Sequence, residues 1–202
     1  RVVEPKMAFI NQETKEIHCK VVYYGPSLSG KTTNLQWVYS KTSDQGNASE
    51  LMTFNSNPER TLFYDFLPMN VGEIRGLKTR FHLYTVPGQV IYDASRKLIL
   101  KGLDGVIFVA DSQLERMDEN IEAMKNLERN LEQQGYDIKE VPLVIQYNKR
   151  DLPNIASLAE LRTALNRYNA PDFEANASIG RGVMESLMTV SKAIVTTLKG
   201  GR

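Results

Sequence analysis

The chain has 202 residues, enough for one substantial core but short for two independent ones. Its 25 Lys and Arg stand against 24 Asp and Glu, so there is no electrostatic case for nucleic acid as a partner. Apolar runs such as Val106-Ile107-Phe108-Val109-Ala110 are strand-length and much too short to cross a bilayer, and no secretory signal is visible.

In chain order, Met7 reads as a natural start and residues 1–6 as an upstream extension or cloning remnant, leaving 7–200 as a single domain. Phe9 to Ile17 can add a short hairpin. Cys19 is the only cysteine, so no intramolecular disulfide forms, which fits a reducing, cytoplasmic setting. Lys20-Val21-Val22-Tyr23-Tyr24 is an apolar run in the position of a first strand. It leads into Gly25-Pro26-Ser27-Leu28-Ser29-Gly30-Lys31-Thr32, which fits the phosphate-cradling pattern G-x-x-x-x-G-K-[ST]. Glycines at both ends let the N–H groups of this loop turn inward toward phosphate oxygens. Lys31 supplies a cation between the outer phosphates, and Thr32 offers a hydroxyl to magnesium. Residues from Thr33 onward read as a helix whose positive end faces the same anion. The bland alternative is a Gly/Ser-rich turn; the preceding strand and following helix weigh against it.

Thr42 through Ser43-Asp44-Gln45-Gly46-Asn47 is too hydrophilic for core and suits a loop. The stretch from Thr61 to Arg80 departs from strand–helix alternation and holds two strands, expected as an antiparallel pair at one edge. The second of them runs on through Leu83-Tyr84-Thr85-Val86 into Pro87-Gly88-Gln89. There the N–H of Gly88 can meet a terminal phosphate and Gln89 can orient an attacking water. The competing reading of Pro87-Gly88 is a plain turn.

After Asp111-Ser112, apolar residues recur at Leu114, Met117, Ile121, Met124, Leu127 and Leu131, a helical stripe facing the core. Val141 to Tyr147 is another buried strand and ends in Asn148-Lys149-Arg150-Asp151, an N-K-x-D sequence. A carboxylate at Asp151 can accept from the N1–H and exocyclic amine of guanine, while the stem of Lys149 lies along the ring. Adenine lacks that donor pair, and sites built on such buried pairing reject the wrong analogue by roughly 10⁴ to 10⁵. Taken alone, the tetrapeptide is as readily a solvated turn. Ser157-Leu158-Ala159-Glu160 fits a capping box, and Val183, Leu187, Val190, Ile194 and Leu198 give the last helix its buried face. The rhythm is α/β, with parallel strands and crossover helices. His18 and His82 are isolated in sequence and read as structural.

With these motifs assembled, the chain resembles the Ras-like small GTPases, and among them the bacterial MglA group of polarity and gliding-motility GTPases. The resemblance covers nearly everything after Met7. Its distinctive segments are Val22 to Pro26, Arg60-Thr61-Leu62-Phe63-Tyr64-Asp65-Phe66-Leu67-Pro68, and Thr79 through Gln89 to Gly102. It implies a Ras-like phosphate-loop fold, with a mostly parallel sheet flanked by helices and one antiparallel edge pair. It also implies GTP and GDP as ligands with Mg2+, Arg60 as a finger supplied in cis, and Thr61 as sensor of the third phosphate through magnesium. Thr53 is a weaker candidate for that role. Ala177, in Asn176-Ala177-Ser178, stands where a backbone N–H of the family meets the guanine oxygen; the alternative is a plain strand-to-helix turn. Expected partners are a Roadblock-fold activating protein, usually homodimeric, and effectors of polarity or motility. Phe63, Tyr64, Phe66, Val90, Ile91 and Tyr92 are candidate effector contacts. No prenylation cysteine is visible at the C-terminus, so no intrinsic lipid anchor is expected.

Two positions depart from the pattern. Thr85 stands where Ras-like chains carry a carboxylate near magnesium, although the MglA group shares the threonine. Ser27 replaces a usual glycine beside the terminal phosphate, where its side chain can crowd Gln89 and slow hydrolysis. The function expected is a GTP-hydrolysing switch. A GTP-binding scaffold with little hydrolysis, and a phosphate-loop ATPase or kinase, are the alternatives.

Overall fold

The computed structural model describes residues 8–43, 50–56, 59–66, 73–88 and 93–200, and of 53–56 and 59–66 the backbone alone. Strands β1 (Phe9–Asn11), β2 (Glu16–Tyr24), β3 (Met52–Ser56), β4 (Glu59–Phe66), β5 (Lys78–Thr85), β6 (Gly105–Asp111), β7 (Leu143–Asn148) and β8 (Asp172–Glu174) form one sheet. Its order is β3-β4-β5-β2-β6-β7-β8, with β1 paired to β2 off that path. Helices α1 (Lys31–Thr42), α2 (Asp93–Leu100), α3 (Met117–Gln133), α4 (Leu158–Leu165) and α5 (Val183–Lys199) cover it.

β2 is parallel to both β5 and β6, and β7 is parallel to β6 and β8. The antiparallel edge expected between residues 61 and 80 is present as β4 on β5, and β3 extends it by one strand. The leading hairpin is present too. β1 pairs with Glu16–His18, whereas β6 pairs with Val21–Tyr24, so two distant segments share one edge of β2.

Every residue of β6 and β7 is buried, as expected of parallel strands covered on both faces. Alternation along β2 divides the core. Cys19, Val21 and Tyr23 pack with Leu35 and Val38 of α1 and Leu187, Val190 and Ile194 of α5. Val22 and Tyr24 point the other way, to Leu100, Met124, Leu127, Phe108 and Leu161. Leu114 falls outside the α3 stripe: it lies in a 3-10 turn, Leu114–Arg116, and is 45% exposed. That turn advances three residues per turn instead of 3.6 and carries Leu114 off the buried face. Ser157 and Glu160 form the reciprocal capping box at α4. His18 and His82, far apart in sequence, stack across β2 and β5 with Nδ1 and Nε2 2.7 Å apart. No helix among the described residues is long and apolar enough to cross a membrane.

Asp104 ties the start of β6 to β2. Its carboxylate accepts from the Lys20 N–H at 2.7 Å, and its own N–H donates to the Lys20 carbonyl at 2.8 Å. Burial lifts this carboxyl to about 6, only partly offset by the Lys20 amide. The folded protein therefore holds a proton that the unfolded chain has released, and stability falls as pH rises from about 4 to about 6 and then levels. Asp104→Asn is expected to abolish that slope and raise stability at pH 7 by about 1–2 kcal/mol. Urea melts across the window check it; a wild-type profile already flat there would contradict the assignment.

Candidate functional site

The parallel strands β2, β5, β6 and β7 all deliver their carboxyl ends to one side of the sheet, where α/β proteins place ligands. Gly25 closes β2, and the loop runs to Gly30, which caps α1 in a left-handed conformation at φ 107° with no side-chain cap. The first amides of α1, from Lys31, Thr32 and Thr33, are therefore not occupied by a capping side chain and give the loop its anion-seeking end. Gly30 is required on two counts. A Cβ there would lie 2.1 Å from Nδ2 of Asn148 as well as on a backbone that L residues resist. Leu28 holds the apex with φ 61° and a side chain 81% exposed. A leucine so held costs about 1–2 kcal/mol relative to relaxed backbone, a strain the surrounding contacts must offset. The Lys31 ammonium sits inside the loop on the carbonyls of Gly25 and Pro26, at 3.0 and 2.6 Å.

Asn148 is the hinge of the base side. Its Nδ2 donates to the Ser29 carbonyl at 2.8 Å and its Oδ1 accepts from the Ala177 N–H at 2.9 Å. Asn148 thus joins the phosphate loop to the Ala177 loop with one of its two amide N–H groups and its oxygen. The Ala177 N–H, expected to serve the guanine oxygen, stands beside the Asn148 amide on the base side. Lys149 takes φ 65° and pairs with Asp111 at 2.7 Å. Asp151 is exposed and makes no ion pair among the described residues, which leaves its carboxylate available.

Three supporting groups are hidden from motif reading. Asp111, fully buried at the end of β6, receives Lys149, the N–H and side chain of Gln113, and Arg116 at 3.8 Å. A carboxylate closing an apolar strand has to find cations, and that was its signal. Asn34 and Gln146 exchange amide bonds of 2.8 and 3.0 Å across the start of α1 and the middle of β7. Gln146 also reaches Ser186 of α5; a lone amide within the run Val144-Ile145-Gln146-Tyr147 demands such partners. Finally, Arg96 of α2, 4% exposed, donates to the Pro87 carbonyl at 3.4 Å.

The third motif meets the first. Val86 N–H bonds the Tyr23 carbonyl at 3.2 Å, and a Cβ on Gly88 would lie 2.3 Å from the Ser27 nitrogen and 2.5 Å from its Cα. Gly88 therefore rests directly on the Ser27 backbone, a contact no other residue type permits. Gln89, Val90, Ile91 and Tyr92 lie outside the described residues. Arg60 and Thr61 are placed by backbone only: they pair with Asn55 and Phe54, beyond the Phe63–Tyr84 pair and toward the loop end of the sheet. Their side chains, and those of Thr53, Phe63, Tyr64 and Phe66, lie outside the description. A cavity of about 610 Å³ adjoins the loop from the opposite side, between α2 and α3. Tyr24, Pro26, Ser27, Gly88, Arg96 and Asn126 are among its lining, but none of Lys31, Thr32, Lys149 or Asp151 is, so it is not the phosphate cradle.

Magnesium takes oxygen ligands and keeps several waters, so one protein hydroxyl with phosphate oxygens suffices. Thr32, half-buried in the first turn of α1, offers such an oxygen. Thr85 is 1% exposed at the end of β5 and brings no carboxylate. Among the described residues no cluster of three His, Cys, Asp or Glu could hold a metal. The donors present fit an ion carried in by phosphates rather than one caged by protein.

A glycine loop between a central strand and its helix, facing an N-K-x-D turn across the same sheet end, defines a phosphate-loop nucleotide-binding domain. The chain belongs to the ADP-ribosylation factor family of small GTPases, whose profile matches residues 6–194. It is 59% identical over 195 residues to the mutual gliding-motility protein MglA of Myxococcus xanthus, covering 96% of this chain and all of that protein. ADP-ribosylation factor-like protein 4A of Homo sapiens is 37% identical over 86 residues, 42% of this chain and 40% of that one.

Asn148→Ala leaves the Ser29 carbonyl and Ala177 N–H without their partner. It is expected to cost about 2–4 kcal/mol in urea unfolding and to accelerate nucleotide loss. A cost under about 1 kcal/mol would mean that water replaces both bonds.

Proposed function

We propose that this protein is a GTP-dependent switch that acts in bacterial polarity or gliding motility, binding effectors with GTP and releasing them after hydrolysis. The observation that carries the reading is the seating of Gly88 on Ser27 in a loop that Asn148 fastens to the base side. Whatever occupies the loop is felt at once by the segment leading into Gln89.

In this reading the amides of residues 27–33 and the Lys31 ammonium neutralise the phosphates of the substrate. The carboxylate of Asp151 selects guanine, and Lys149, steadied by Asp111, flanks the ring. Thr32 and Thr61 are the residues that would hold magnesium, which when bound neutralises charge on the outer phosphates. Gln89 orients the water, and Arg60 stabilises the charge that develops on the transferred phosphoryl group, an effect worth roughly 10³ to 10⁵ in rate. Ordering of the segments around Thr61 and Gly88 then creates the effector surface. A homodimeric Roadblock-fold protein is the activating partner that orders Arg60 and Gln89. The protein is cytoplasmic and concentrates at a cell pole.

The second reading, a GTP-holding scaffold, is favoured by Ser27. Gly88 packs on its backbone, and a side chain at that position can hinder the group that orients the water.

The test is single-turnover hydrolysis of preloaded GTP, alone and with excess Roadblock-type protein from the same genome. Strong stimulation, lost by roughly 10²-fold or more in Arg60→Ala and Gln89→Ala, is the expected result. Complex formation without hydrolysis would replace the switch by the scaffold. Ser27→Gly is expected to raise the rate about tenfold through freer access of the water-orienting group; an unchanged rate removes Ser27 from the argument. Asp151→Ala should weaken GTP binding by roughly 10³-fold or more while leaving ATP binding equally poor, and a variant that still discriminates would locate base selection elsewhere.

A further inference from the structure

Arg116 lies in the 3-10 turn between β6 and α3, yet its Nη2 donates to the Ser27 carbonyl at 2.6 Å, 89 residues away in sequence. The same guanidinium pairs with Glu119 through Nη1 and approaches Asp111 through Nε at 3.8 Å. Its side chain is only 21% exposed. Three partners at three corners fix the planar fork in place, a geometry that a lysine ammonium does not reproduce.

The Ser27 carbonyl and the Leu28 N–H belong to one trans peptide plane and point in opposite directions. Holding the oxygen toward the β6–α3 turn therefore aims the Leu28 N–H the other way, away from Arg116. Two observations bear on that proton. Leu28 keeps a left-handed φ of 61°, which a leucine does not adopt without constraint. Among the described residues, its N–H donates to no protein acceptor. A cation on the carbonyl end of a peptide also polarises it and makes the N–H at the other end a stronger donor.

We propose that Arg116 is a positioning residue for GTP hydrolysis: it holds and polarises the Ser27–Leu28 peptide so that the Leu28 N–H meets the outer phosphate oxygens, where charge grows as the terminal phosphoryl group leaves. The inference rests on the proposal that this loop holds GTP. Arg116 is assigned its role through the peptide it holds and not as a direct ligand of the substrate. It also shares Asp111 with Lys149, so one buried carboxylate steadies the base-side lysine and the phosphate-side arginine together.

The test compares wild type, Arg116→Ala and Arg116→Lys by single-turnover GTP hydrolysis, GDP release and the amide proton shift of Leu28. For Arg116→Ala the hydrolysis rate is expected to fall about tenfold or more, less than the loss of a direct donor to a developing oxyanion. GDP release is expected to quicken by a similar or smaller factor, because the charge that grows on the leaving oxygen is retained by the GDP product. The Leu28 amide proton should move upfield with the loss of polarisation, millimolar guanidinium should restore part of the rate, and Arg116→Lys should fall between the two. An unchanged Leu28 shift, or a hydrolysis rate within about threefold of wild type, overturns the inference. If wild type binds no guanine nucleotide, the proposed function fails on its own account. The Leu28 shift in the nucleotide-free proteins then still decides whether Arg116 governs that peptide.

Discussion

One side-chain amide holds the site together. Asn148 bonds the Ser29 carbonyl with its nitrogen and the Ala177 N–H with its oxygen, while Gly30 withholds the Cβ that would collide with it. Phosphate loop, base-side turn and the loop before α5 are thus fixed by two bonds from one residue that is itself 3% exposed. In so dry a place both bonds are expensive to leave unmade, and the arrangement is correspondingly definite. The exchange between Asn34 and Gln146 repeats the device one layer deeper, pinning the start of α1 to β7 and α5.

Around that fixed frame the chemistry is divided by strand end. β2 contributes the phosphate loop and β7 the N-K-x-D turn. β5 contributes the glycine that touches Ser27, and β6 contributes Asp111 and, just beyond it, Arg116. The carboxylate of Asp93 is held well below the usual range, chiefly by the Asn126 amide, as it starts α2 against α3. Burial meanwhile pushes the Tyr24 hydroxyl up to about 12, and that hydroxyl bonds the same α3 asparagines. The helix that follows the Gln89 segment is therefore moored to the strand that feeds the phosphate loop through neutral and anionic groups whose protonation does not change near neutrality.

Much of this was legible in the sequence, and for stated reasons. Buried parallel strands announce themselves as continuous apolar runs, and β6 and β7 lie where those runs stood. Glycine spacing located the phosphate loop because only glycine serves at Gly30, and Ser157 with Glu160 marked the start of α4 because capping is local. Contacts between segments distant in sequence were opaque. Nothing in the string joins Arg116 to Ser27 or His18 to His82, and β3 followed a polar stretch that gave no strand signal of its own. Leu114 misled because a 3-10 turn shifts the phase of an otherwise regular stripe. Ala177 lies in the loop where the sequence put it, but its bond to Asn148 joins residues 29 apart and could not be read from the string.

The bonds that close the cradle span the chain: 119 residues separate Asn148 from Ser29, and 112 separate Asn34 from Gln146. A nascent polypeptide therefore carries its glycine loop long before it owns Asn148 and Gln146, the groups that fasten the loop and its helix to the rest of the domain. Nucleotide held by such a loop is a report on the completed domain. Its binding energy is added to global stability rather than to any fragment, so the small molecule that sets the signalling state also certifies that the protein has finished folding.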